Sequence, residues 1–155
     1  MTTDTRPLLI GMNNPLSSHP EGALYPRPPG CTGHRIFLML RSQIPEITEK
    51  QYLARFDRRN VLTGVWNLQR ARAAAADIWP HMMGRRFALL GKDVTRAFGL
   101  HRGERDAPPL MWQELGYRDT HWALLPHPSG RNMWYNTPGN RDRAAQFLAE
   151  LYRGT

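Results

Sequence analysis

The sequence predicts an α/β fold, a three-layer α/β/α sandwich around a central, mainly parallel sheet of four strands. Short apolar runs alternate with amphipathic helical stretches along the chain, the pattern of helices packed on a parallel sheet. Two of those runs, Leu8-Leu9-Ile10 and Trp122-Ala123-Leu124-Leu125-Pro126, stop abruptly at polar, glycine- and proline-containing residues. Buried parallel strands read as near-continuous apolar runs, and residues at their carboxyl ends line the ligand crevice. Finally, 155 residues with 41% hydrophobic content suit one domain, 1–155, with a sizeable core and no internal repeat.

The elements follow in order. Residues 8–12 form the first strand, and residues 13–32 a long loop with four prolines between Pro20 and Pro29. Loops of that length inside a compact domain are uncommon and often functional. Residues 33–41 form a helix, with Thr32 as its N-cap and Ile36, Phe37 and Leu40 on one face. In the helix over 48–56, Thr48 and Gln51 fit a capping box, and Tyr52, Leu53 and Phe56 make an apolar stripe. Residues 59–62 are a weakly signalled second strand. Residues 66–83 are an alanine-rich helix that Pro80 should kink or end, since proline lacks the N–H and clashes with the preceding turn. Residues 86–90 are a strand, 93–98 a short helix stopped by Gly99, and 100–120 an irregular connection. Residues 121–125 are the last strand, and 138–152 a helix with Pro138 at its start and Ala144, Phe147, Leu148 and Leu151 at helical spacing.

Composition narrows the function classes. The formal net charge is +8 and the pI about 10.5, which favours a polyanionic partner, nucleic acid first. Nearly all the positive charge is arginine, with Lys50 and Lys92 the two lysines; arginine grips phosphate in bidentate fashion. No stretch of 18 apolar residues exists, so no membrane partner is expected. The polar start, Met1 to Pro7, lacks a signal-peptide core, which predicts a cytoplasmic protein. Cys31 is the lone cysteine, so intramolecular disulfides and cysteine-held clusters are excluded. The six histidines show no paired metal spacing, and no metal or other cofactor is expected.

Two motifs carry the chemistry. Gly11-Met12-Asn13-Asn14-Pro15-Leu16-Ser17-Ser18 follows the first strand, and His127-Pro128-Ser129-Gly130-Arg131-Asn132 follows the last. The first resembles the G-M-N-P-G motif of single-strand-selective monofunctional uracil glycosylases and the G-I-N-P-G-L-S-S motif of mismatch-specific ones. The second resembles H-P-S-P-R-N, with Gly130 in place of proline. Between them, Asn60 falls where a strand of those enzymes ends in a base-reading asparagine. In motifs and their order, the chain thus resembles the uracil-DNA glycosylase superfamily over most of its length. Departures are Asn14-Pro15 for the usual Pro-Gly, a shorter chain, and no phenylalanine in the loop after the first motif, where Tyr25 is the nearest ring.

The resemblance implies a monofunctional DNA glycosylase acting as a monomer on single- or double-stranded DNA. Breaking an N-glycosidic bond develops positive charge on the sugar and negative charge on the departing base, and the enzyme must stabilise the anion and supply water. His127 would donate an N–H to a pyrimidine carbonyl oxygen, a task a neutral imidazole performs. Asn13 would orient the attacking water; the competing role is an Asx turn after the strand, with Asn14 its neighbour in either role. Asn60, with Met12, Asn14, Pro15 and Tyr25, would meet the base, Asn60 through its amide and Tyr25 by stacking. Asn60 as a turn residue and Tyr25 as loop packing are the competing roles. Pro15 stands where the strictly uracil-specific branch has a tyrosine that excludes 5-substituents, so a 5-substituted pyrimidine is expected to be tolerated.

Ser17, Ser18, Ser129 and Gly130 would hold phosphates, with Arg131, Asn132 and Met133 completing the DNA-facing segment. Arg131 and Met133 are the wedge candidates that fill the gap left by the flipped nucleotide. Such an enzyme would serve base-excision repair or act against foreign DNA with modified bases. The competing class is a glycosylase-like module that binds nucleic acid without cleaving it.

Overall fold

A computed structural model of the chain describes residues 4–14, 19–116 and 118–154. Its centre is a five-stranded sheet of order β2-β1-β3-β5-β4, in which β1 is Leu8–Asn14, β2 Asp57–Thr63, β3 Arg86–Leu90, β4 Gln113–Glu114 and β5 His121–Leu125. β1 pairs in parallel with β2 and β3, and β3 with β5; β4 runs antiparallel to β5. The expected four strands are therefore all present, but the sheet has a fifth, β4, within the segment read as irregular. Two residues are too few to display a two-residue period, and β4 owes its form to pairing with His121 and Trp122.

Side-chain alternation along the central strands divides the core. Leu9, Ala88, Leu90, Ala123 and Leu125 pack with α1 (Thr32–Gln43), α2 (Glu49–Arg55) and α5 (Asn140–Arg153). Leu8, Ile10, Phe87, Leu89, Trp122 and Leu124 belong to a second cluster with α3 (Leu68–Met82) and α4 (Lys92–Ala97). The central strands are apolar over their middle residues, where both faces are covered. β2 is an edge strand, which explains the charged Asp57-Arg58-Arg59 run that weakened its signal.

Several boundaries move. β1 extends through Asn13 and Asn14, whose backbones continue the ladder opposite Leu62 and Thr63. The first motif is thus partly strand, and the loop begins later than expected. Cys31, not Thr32, caps α1, its Sγ accepting from the His34 N–H at 3.4 Å. Thr48 and Gln51 form the expected capping box on α2. Pro80 lies in the last turn of α3, where it lacks the N–H that would bond the Ala76 carbonyl, and the helix ends two residues later at Met82. Gly139 in the left-handed region, φ 85°, precedes α5, so Pro138 stands outside the helix rather than at its start.

At the amino end of the sheet, Arg85 is 4% exposed. Its guanidinium pairs with the Asp57 carboxylate at 3.0 Å and donates to the carbonyls of Arg6 and His81. This clasp joins the starts of β1, β2 and β3.

Candidate active site

The carboxyl ends of β1 and β5 open into a cavity of about 480 Å³. β1 and β5 flank β3, so two segments more than a hundred residues apart meet across one intervening strand. Asn13, Asn60 and His127 line this cavity together with Met12, Tyr25, Ser129 and Gly130. A crevice at the carboxyl ends of parallel strands is where α/β sheets bind ligands.

Backbone geometry sets each polar group. Gly11 sits in register with Asn60 on the neighbouring strand. A Cβ on Gly11 would lie 2.5 Å from the Asn60 Oδ1 and 3.1 Å from the Leu24 Cδ2. The missing side chain therefore admits the Asn60 amide over the first strand. Asn13 donates its amide N–H to the Gly64 carbonyl at 2.5 Å. That bond turns the donor end of the side chain toward the loop after β2. Among the described residues, no bond occupies its carbonyl oxygen.

His127 stands against Gly91, which follows β3 at φ 98°; a Cβ there would lie 3.2 Å from the His127 Cβ. Burial of the imidazole pushes its pKa below the ordinary histidine value, and the Asp93 carboxylate on α4 only partly opposes this. The ring is neutral at pH 7, with one N–H to donate and one nitrogen to accept.

The segment after β5 is fastened from within. Asn132 donates from its amide to the His127 carbonyl at 3.0 Å and accepts from the Trp134 N–H at 3.1 Å, capping a short 3-10 turn, Met133–Asn136. The Tyr135 hydroxyl donates to the Pro126 carbonyl at 2.5 Å. Asn132 thus shapes the loop that carries His127. Arg131 is exposed, as is Met133 at 77%; neither lines the cavity.

The opposite wall is the segment 19–31, pinned by hydrogen bonds rather than left slack. Arg58 donates to the carbonyls of Ala23 and Glu21 at 2.7 and 3.1 Å. The buried Tyr52 hydroxyl donates to the Leu24 carbonyl at 2.8 Å, and burial raises its pKa. Tyr25 is 42% exposed and stands beside the opening. Asn14 continues the strand backbone beside the cavity. Pro15, Ser17 and Ser18 lie outside the described residues.

Leu24, Arg27, Cys31 and Gly33 also line the cavity and were not named as site residues from the sequence. Gly33 carried the one available signal, a glycine in the first turn of a helix, where it weakens helicity. A Cβ there would fall 2.1 Å from the Tyr25 carbonyl oxygen, so the wall can approach α1 this closely only against glycine. Among the described residues, no group of three or more His, Cys, Asp or Glu side chains is placed to hold a metal ion. None of the helices among the described residues is long and apolar enough to cross a membrane.

No protein-family model matches the chain, and no curated protein matches it either.

Proposed function

We propose that the chain is a monofunctional DNA glycosylase, with a three-layer glycosylase-like fold, that hydrolyses the N-glycosidic bond of a flipped uracil or 5-substituted pyrimidine. The observation that carries this reading is the convergence of Asn13, Asn60 and His127 on one cavity. An amide whose oxygen is unbonded among the described residues, a second amide, and a neutral imidazole are the groups needed to hold water, read a base edge and stabilise a base anion.

The C1′–N bond breaks with its electron pair leaving on the base. His127 donates its N–H to the carbonyl oxygen where that charge collects. Water held by the Asn13 carbonyl oxygen adds to C1′ and loses its proton to solvent; the amide orients this water and does not act as its base. Asn60 offers a donor and an acceptor to the base edge, and Tyr25 offers a ring at the opening. The phosphates of the bound DNA stabilise the sugar cation, and the charge of +8 draws that polyanion in. Repair and action against foreign DNA with modified bases are both served by this chemistry.

The test is incubation with oligonucleotides carrying uracil, 5-hydroxymethyluracil and glycosylated pyrimidines, followed by alkali cleavage at abasic sites. Excision of at least one of these bases is expected. His127→Ala should slow single-turnover excision by about 10²–10³-fold, the usual loss for one preorganised donor to a developing anion. Asn13→Ala should slow the same step with little change in DNA affinity. Parental rates in both variants would refute the assigned roles.

A further inference from the structure

A second, smaller cavity of about 120 Å³ adjoins the first, and the two share Ser129 and Gly130 as a common wall. Arg35 from α1 and Arg141 from the first turn of α5 both line it. The Arg35 guanidinium lies against Gly130 so closely that a Cβ there would fall 2.8 Å from Nη2. Its Nε donates to the Gly30 carbonyl at 3.2 Å, which fixes the head of the side chain beside the turn.

Among the described residues, five arginines pair with carboxylates: Arg6 with Asp4, Arg27 with Glu49, Arg59 and Arg85 with Asp57, and Arg96 with Asp106. Neither Arg35 nor Arg141 forms an ion pair among the described residues. The neighbouring Asp142 carboxylate is instead engaged by Gln43 and Gln146, at 3.0 and 3.1 Å. Two cations without a counter-charge therefore face a small polar cavity, on the far side of the turn that follows His127.

We propose that this cavity is a phosphate subsite, in which Arg35 and Arg141 hold a backbone phosphodiester next to the nucleotide in the main cavity. A single phosphate group suits the volume, and paired guanidinium groups suit its charge and geometry. The subsite rests on the glycosylase reading for its ligand. It adds two residues that anchor the strand independently of the base, and it explains why the second motif carries glycine at position 130. A side chain there would displace the Arg35 head.

The test is the salt dependence of binding to a fluorescent single-stranded oligonucleotide containing a tetrahydrofuran abasic analogue. Each phosphate contact contributes about 0.7 to the slope of log K against log salt for single strands. Arg141→Gln, a change at an exposed position, should make the slope shallower by about 0.7, and Arg35→Gln likewise. Arg72→Gln, exposed on α3 of the opposite layer, should leave it unchanged. Replacing single phosphates by methylphosphonates should weaken parental binding at one position and leave the Arg141→Gln protein indifferent there.

Unchanged slopes in both variants, with parental binding intact, would overturn the subsite alone. A shallower slope with no base excised from the panel would uphold the subsite and refute the glycosylase assignment. An absence of oligonucleotide binding by the parent would overturn both.

Discussion

At the scale of single residues, two glycines position polar side chains of the main cavity by leaving space. Gly11 makes room for the Asn60 amide, and Gly91 for the His127 ring. Gly11→Ala should destabilise the protein by about 1–3 kcal/mol through overpacking against Asn60. Asn60→Ala should recover most of that loss, because the two side chains compete for one space. Urea denaturation of the two single variants and the double variant measures the coupling; additive losses would mean the strain is relieved elsewhere.

The His127 titration is a second test at this scale. Burial lowers its pKa, so the folded state binds the proton less readily than the unfolded chain. The resulting stability is fully present above pH 6.5 and is lost as pH falls through the lowered folded value. An NMR titration should give a midpoint below 6.5, and Asp93→Asn should lower it further, since that carboxylate favours the charged ring. A midpoint at or above 6.5 would contradict the buried neutral imidazole. Asn13 and His127 were legible in the sequence because each closes an apolar run with polar residues. Arg35 and Arg141 were not, since an arginine on a helix looks the same facing solvent or a cavity.

At the scale of elements, the loop after β5 depends on one side chain at two points. Asn132 caps the 3-10 turn and holds the His127 carbonyl. Asn132→Ala should cost about 1–2 kcal/mol, the loss of a cap and a partly buried hydrogen bond. Excision should fall as His127 loses its fixed position. Asn132→Asp keeps the acceptor for the Trp134 N–H but removes the donor, so it should restore stability more than rate. Thermal melts and single-turnover rates on the three proteins separate the two bonds. Equal recovery of both would show that the cap alone matters.

The strongest elements were readable from pattern: apolar runs for β3 and β5, the capping box for α2, and the stripe of α5. What was missed has a common cause. Asn13 and Asn14 in β1, and the two residues of β4, take strand form from their partners' backbones rather than their own side chains. Cap choice at α1 was also decided by tertiary context: the Cys31 thiol donates to the Tyr25 carbonyl while accepting from the helix.

At the scale of the whole molecule, the sheet has a clasped end and an end that opens into the main cavity. The buried Arg85 clasp ties the starts of three strands far from the main cavity. Arg85→Ala should cost about 3 kcal/mol, because the largely buried Asp57 carboxylate would keep only the longer contact to Arg59, at 3.6 Å. Arg85→Met with Asp57→Leu should recover much of this, since an apolar pair avoids the uncompensated charge. Chemical denaturation reads both, and excision per folded molecule should be unchanged in the double variant. A selective loss of excision in a stably folded double variant would show that the clasp acts on the site as well as on the fold.

The clasp end of the sheet has a further property. Thr5, Pro7 and Gly154 all border the cavity beside Arg85, so the two ends of the described chain emerge there together. A strand of about six residues, roughly 20 Å, separates that end from the opening of the main cavity. A tether attached beside Thr5 or Gly154 therefore leaves the main cavity facing outward. Immobilised through that end on a bead or a sensor surface, or joined there to another module through a short linker, it presents the same cavity to solution.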